Sequence, residues 1–195
     1  MQTVSIFLFP VFETLDVFGP AEIFGRRKEE YKVQLMSMDG GLIESAHGFK
    51  CESIATSTLD SVDILLIPGG MGTRQCVNDD RLIGEIRRLA ELAPDVLTVC
   101  TGTSLLARTG LLDGQKATSN KIAFDWVMSQ GPAVDWQRQA RWIVSGKYYT
   151  SSGVTAGMDM SLAFMAEKHG LPLAEQTARE IEYIWNRNSE NDPFA

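Results

Sequence analysis

Short runs rich in β-branched and aromatic residues alternate along this chain with longer stretches in which apolar residues recur every three to four positions. The runs predict strands over residues 4–9, 31–37, 64–67, 96–99 and 148–151. The helical periodicity predicts helices over 20–27, 81–93, 103–109, 122–128, 156–169 and 173–186. Ile64-Leu-Leu-Ile67 is apolar at every position, which is how a strand covered on both faces reads. Strands and helices in this alternation imply an α/β fold, a mostly parallel sheet with helices on both faces. Residues 39–58 carry short alternating runs and turn residues and read as an antiparallel hairpin appended to the sheet. Pro20 suits the first turn of its helix, where a missing N–H costs nothing. The polar tail, residues 186–195, is expected to fray unless Pro193-Phe194 docks on a partner.

At 195 residues the chain fits a single domain, 1–195, that buries about 70% of its unfolded surface. Hydrophobic residues make up 44% and charged residues 22%, the balance of an ordinary soluble globular protein. A net charge of −7 argues against nucleic acid and anionic membranes as partners. The densest basic run, Arg26-Arg27-Lys28, is followed directly by Glu29-Glu30. Three cysteines without C-x-x-C spacing suggest neither a disulfide framework nor a metal site, and point to a reducing, cytoplasmic compartment. The apolar start reaches Pro10 without a basic leader or a small-residue cleavage site and reads as a first strand. No apolar stretch approaches the ~20 residues that span a bilayer.

The chemistry concentrates where the fourth strand ends. In Val96-Leu-Thr-Val-Cys100-Thr-Gly-Thr-Ser104 an apolar strand stops on a cysteine and a helix begins at once, the geometry of a nucleophile elbow. Unpaired N–H groups at that helix terminus favour a thiolate. Pro68-Gly69-Gly70-Met71-Gly72 follows the third strand and places bare backbone at the same carboxyl edge, where open α/β sheets bind ligands. Asp16 follows the first strand, on a loop by this reading, and falls at that edge too. Other signals are missing. No G-x-G-x-x-G turn follows the first strand, Gly110 to Lys116 lacks the end of a phosphate loop, and Ser104 fails the G-x-S-x-G pattern. His47 in the hairpin and His169 at a helix end, the two histidines of the chain, read as surface residues with structural roles.

Leu15-Asp-Val-Phe-Gly-Pro20, Ile67-Pro-Gly-Gly70, Val99-Cys-Thr-Gly102 with Gly110-Leu-Leu-Asp-Gly114 behind it, and Thr150-Ser-Ser-Gly-Val-Thr-Ala-Gly-Met-Asp159 together resemble the ThiJ/PfpI superfamily. Within it the isonitrile hydratase branch looks closest. The resemblance spans nearly the whole chain and implies a flavodoxin-like three-layer sandwich that pairs as a homodimer. It also implies that Cys100 is a nucleophile and that Asp16 is the acidic partner of its sulfur. Backbone N–H groups of Gly70 and Thr101, with Gly69 in the same turn, would form the oxyanion or binding site. No cofactor or metal is implied, and the partner is a small-molecule substrate.

One departure matters. Where many superfamily members place a histidine after the elbow, this chain has Ser119 and Asn120, neither of which can take a proton as an imidazole does. A peptidase-like Cys-His pair is therefore disfavoured. Isocyanide hydration with one carboxyl group, Asp16, moving protons is the leading expectation. A glyoxalase or deglycase acting on α-oxoaldehydes, and a cysteine-based redox or ligand sensor, are the alternatives.

Overall fold

Ile64–Ile67 runs through the middle of an eight-stranded sheet with all four side chains buried, as its unbroken apolar pattern requires. The computed structural model describes residues 1–195. Strand β1 (Gln2–Leu8), helix α1 (Thr14–Gly25) and strand β2 (Tyr31–Ser37) come first, followed by the strands β3 (Gly41–Glu44) and β4 (Lys50–Ala55). Next are β5 (Ile64–Ile67), α2 (Thr73–Cys76), α3 (Asp80–Leu92), β6 (Asp95–Thr98) and α4 (Gly102–Arg108). The chain finishes with β7 (Lys116–Ala117), α5 (Phe124–Gln130), β8 (Asp135–Trp136), β9 (Trp142–Ser145), β10 (Tyr148–Ser151), α6 (Ala156–His169) and α7 (Leu171–Glu180).

The sheet order is β3-β4-β2-β1-β5-β6-β10-β9. The six inner strands are parallel, and β3 and β9 close the two edges as antiparallel partners of β4 and β10. The expected hairpin is therefore present, joined to the sheet through β4 beside β2. Helix α1 packs on α6 and α6 on α7, while α4 packs on α2, α3 and α5, so two groups of helices sandwich the sheet. Helix α3 shows how pattern becomes packing. Leu82, Ile86, Leu89 and Ala90 form its buried stripe, and Asp79 caps it by accepting the N–H groups of Arg81 and Leu82 at 3.0 and 3.1 Å. Phe24 meets Tyr31 and Phe164 edge to face, and Tyr149 adds a further edge contact to Phe164.

Three expectations give way. Helix α1 starts at Thr14, so Pro20 lies in its interior and Asp16 belongs to its first turn instead of a loop. Pro20 has no N–H to give the Asp16 carbonyl, a cost the buried face of α1 offsets by packing Val17, Ile23 and Phe24 into the core. Helix α7 ends at Glu180, well short of 186, because Glu182 turns into the left-handed region with φ 51°. The chain then binds α6: the Tyr183 hydroxyl donates to Asp159 Oδ1 at 3.0 Å and the Asn186 N–H to the same oxygen at 2.9 Å.

The tail does not fray but returns to the body. Arg141 N–H donates to the Ser189 carbonyl at 2.8 Å and Asp192 N–H to the Gln139 carbonyl at 2.7 Å. Arg141 is held by Asp159 at 2.6 Å and faces Asp192 at 3.6 Å, an ion cluster in which no side chain is more than 7% exposed. Partners separated by 18 and 51 positions leave no local trace in sequence.

Candidate active site

Strands β1 and β5 are neighbours whose following connections run to opposite sides of the sheet, the switch point at which open α/β sheets leave a crevice. Asp16 comes from the connection after β1, Gly69 and Gly70 from that after β5, and Cys100 and Thr101 from that after β6. All five sequence-nominated residues meet there.

Cys100 sits at φ 57°, a left-handed conformation that costs a non-glycine residue about 1–2 kcal/mol. Its surroundings hold it in place. The Cys100 N–H donates to the Ser152 carbonyl at 2.9 Å, and the Cys100 carbonyl accepts the Ser119 hydroxyl at 2.7 Å. Ser119, expected to stand where an imidazole would be, thus braces the elbow from behind and does not reach for the thiol. Asn120 takes another structural task, accepting the Ala123 N–H at 3.0 Å.

Asp16 is fully buried. Its Oδ2 accepts the Gly69 N–H at 2.8 Å, and its buried Oδ1 has no hydrogen-bond partner. Cys100 is the neighbouring side chain that acts on the carboxyl. Burial raises the Asp16 pKa to about 7; the Gly69 N–H lowers it, the Glu13 charge raises it, and the thiol lowers it. The thiol, while it carries its proton, favours the carboxylate and so acts against burial.

The sulfur differs from the thiolate that the helix terminus led us to expect. Burial pushes the Cys100 thiol far above its ordinary range, the charges of Asp16 and Glu13 push the same way, and the Thr101 N–H and hydroxyl only partly oppose them. A terminus of the seven-residue α4 does not outweigh the desolvation of a side chain that is 7% exposed. At rest the site holds a thiol beside a carboxyl group that titrates near neutrality, two groups that gain and lose protons as a unit.

Gly69 and Gly70 lie in a narrow gap between two backbones. A Cβ on Gly69 would fall 2.6 Å from the Thr101 nitrogen, and one on Gly70, at φ 124°, would fall 2.4 Å from the Glu13 nitrogen. The two N–H groups have different duties. Gly69 binds Asp16, whereas the Gly70 N–H donates to the Thr101 hydroxyl at 3.0 Å. Thr73 reinforces that corner by donating from its hydroxyl to the Gly70 carbonyl at 2.7 Å.

Three contributors escaped the sequence reading: Glu13, Thr73 and Ser152. Glu13 acts on both titrating groups of the site, and His47 reaches Glu13 from the hairpin turn. No local pattern signals a residue whose part depends on a neighbour across the fold. His169 is structural as expected, set edge-on against Tyr31. A cavity of about 450 Å³ lies beside the elbow, walled by Asn120, Lys121, Arg141, Ser152, Val154 and Phe194 among others. Burial lowers the Lys121 amine there to about 8.

Residues 2–167 match the sequence pattern of the DJ-1/PfpI family. The chain belongs to the DJ-1/PfpI family. The resemblance seen in the separate motifs thus extends across the domain. An isonitrile hydratase of Pseudomonas putida is 29% identical over 92% of this chain and 78% of its own length. The PfpI deglycase of Pyrococcus furiosus is 28% identical over 72% of this chain and 83% of its own. Among solved structures, a ThiJ/PfpI family protein from Pseudomonas syringae superposes with a TM-score of 0.85 at 26% identity, covering 93% of this chain and 75% of its own. No helix of this DJ-1/PfpI domain is long and apolar enough to cross a membrane.

Proposed function

We propose that this DJ-1/PfpI domain is a cysteine-dependent hydratase that adds water to isocyanides and releases N-substituted formamides, acting without a cofactor as a cytoplasmic homodimer. The observation that carries this reading is a buried carboxyl, Asp16, poised near neutrality against a thiol, with no imidazole at the elbow. The similarity to an isonitrile hydratase over most of both chains supports it. An isocyanide needs a nucleophile and a proton at one and the same terminal carbon. Cys100 and Asp16 supply them from one place.

In the first step the S–H proton passes to Asp16 as the sulfur bonds the terminal carbon, and Asp16 returns that proton to the same carbon, giving a thioimidate. Water then adds to the C=N carbon, losing one proton to Asp16 while the nitrogen gains one. The C–S bond breaks, the sulfur recovers its proton, and the formamide leaves; the net change is one water added. The Gly70 N–H, bonded at rest to the Thr101 hydroxyl, and the Thr101 N–H, which already acts on the sulfur, are the donors that would turn to the developing oxygen. Glyoxalase chemistry must instead carry a proton between adjacent substrate carbons, and Asp16 alone is placed for that.

The test is paired turnover of p-nitrophenyl isocyanide and methylglyoxal by the wild type and Cys100→Ala. Formamide production that disappears with Cys100 supports the hydratase. Methylglyoxal turnover that depends on Cys100, with no formamide, overturns it in favour of the glyoxalase; inactivity on both overturns it in favour of a sensor.

A further inference from the structure

The turn of the β3–β4 hairpin reaches across the sheet edge to the segment that leads into α1. Val11 N–H donates to the Glu44 carbonyl at 2.9 Å, Ala46 N–H to the Phe12 carbonyl at 2.8 Å, and Thr14 hydroxyl to Ser45 Oγ at 3.1 Å. Val11 takes φ 62° to make this junction. The docked turn sets His47 Nδ1 2.8 Å from Thr14 Oγ1 and 3.8 Å from Glu13 Oε1. With the Thr14 hydroxyl donating to Ser45, its oxygen is free to accept a proton-bearing Nδ1. On its other side Glu13 is tied to the site, its N–H donating to the Gly69 carbonyl at 2.8 Å while the Gly69 N–H binds Asp16.

We propose that His47 is a positioning residue of charge: set against Glu13 by the docked hairpin, it controls how strongly the Glu13 carboxylate opposes ionisation of the Asp16–Cys100 pair. A neutral His47 leaves the Glu13 charge uncompensated, and the proton stays on the pair. An imidazolium cancels that charge and favours release of the thiol proton. The direction agrees with the upward push Glu13 exerts on both groups. The other charged groups around the pair have other partners: Arg74 donates to the Gly70 carbonyl and stacks on Trp126, and Glu44 pairs with Lys50. The imidazole missing beside the elbow in sequence thus returns from a hairpin 53 positions earlier, one residue removed from the chemistry. The proposal rests on the hydratase reading only in taking Asp16 and Cys100 as the reacting pair.

The test reads the thiol directly and needs no isocyanide. Iodoacetamide alkylation of Cys100 is followed on its peptide by mass spectrometry between pH 5 and 9 for the wild type, His47→Gln, Glu13→Gln and the double variant, about pH values that bracket imidazole titration. Glu13→Gln is expected to raise the rate at pH 8 about threefold or more, the scale of one partly screened charge. His47→Gln lowers the rate in the acidic half of the range, and the double variant matches Glu13→Gln because His47 has nothing left to act through. His47→Arg, a fixed cation at a side chain 56% exposed and therefore safe for folding, equals or exceeds the wild type at pH 8. Asp16 titrates in every profile, so the variants are compared at each pH, and the gap between the wild type and His47→Gln closes once Glu13 is Gln. An unchanged rate in Glu13→Gln, an unchanged profile in His47→Gln, or a double variant slower than Glu13→Gln overturns the proposal. If isocyanide turnover is absent while these shifts are present, the hydratase reading fails and the charge switch stands.

Discussion

Replacing Asp16 by Asn separates three effects that a merely structural residue would move together. The amide keeps nearly the same volume and can still accept the Gly69 N–H at the 2.8 Å position, so the packing of α1 is preserved. It cannot cycle a proton, and loss of a general acid–base group costs about 10²- to 10⁴-fold in turnover. The thiol responds in the opposite sense. Asp16 holds the Cys100 proton in place when charged, and a unit charge at about 4 Å in an effective dielectric of about 20 is worth about 4 kcal/mol. Even a quarter of that accelerates alkylation of Cys100 about fivefold at pH 8. Stability moves in the same direction as alkylation. The carboxyl titrates near 7 when folded against an ordinary 3.8, so the folded state holds a proton that the unfolded state releases between those values. The contribution of Asp16 to stability is intact below pH 3.8 and lost as pH rises through 7. The penalty above neutrality has an upper limit of roughly 4 kcal/mol, and Asn removes it. The assays are formamide formation from p-nitrophenyl isocyanide, alkylation mapped by mass spectrometry, and melting at pH 5 and pH 8. Lower turnover, faster alkylation and a melting-temperature gain that is larger at pH 8 than at pH 5 are expected. Near-wild-type turnover, or alkylation slowed in step with turnover, would refute the reasoning.

Arg141→Ala leaves Asp159 and Asp192 buried without their cation and should cost about 3–5 kcal/mol, with new protease cuts beyond residue 186 in limited proteolysis as the tail releases. Gly70→Ala drives a Cβ to within 2.4 Å of the Glu13 nitrogen at a backbone angle of φ 124°, so both melting temperature and turnover should drop; full retention of both would show that the 10–13 segment yields freely. Light scattering should show a dimer at micromolar concentration. Phe18→Asp, on an α1 position 41% exposed, should return it to monomer if that face forms the contact, and a monomeric wild type would remove the homodimer from the proposed function.

What the sequence determined by itself is whatever short-range physics controls. Strand β5 over Ile64–Ile67 and helix α6 over Ala156–His169 have the bounds predicted for them, because an unbroken apolar run and a helix stopped by Gly170 need no distant partner to be read. The elbow was legible for the same reason, a strand ending on Cys100 with a helix immediately behind. Alternation of strands and helices then carried Asp16, Gly69, Gly70, Cys100 and Thr101 to one sheet edge. The tertiary structure decided the rest. Helix α7 stops early and the tail docks because Asp159, on α6, binds Tyr183, Asn186 and Arg141 across the fold. The protonation of the site was decided there too. A helix terminus beside Cys100 suggested a thiolate, but ionisation depends on how much water is excluded and which charges stand near, and burial together with Asp16 and Glu13 reverses the sign. Glu13 and His47 lie 34 positions apart and meet because β4 aligns beside β2 and carries its hairpin turn to the mouth of α1. Periodicity specifies which residues share a face. Desolvation and long-range pairing exist only once the faces have closed on one another.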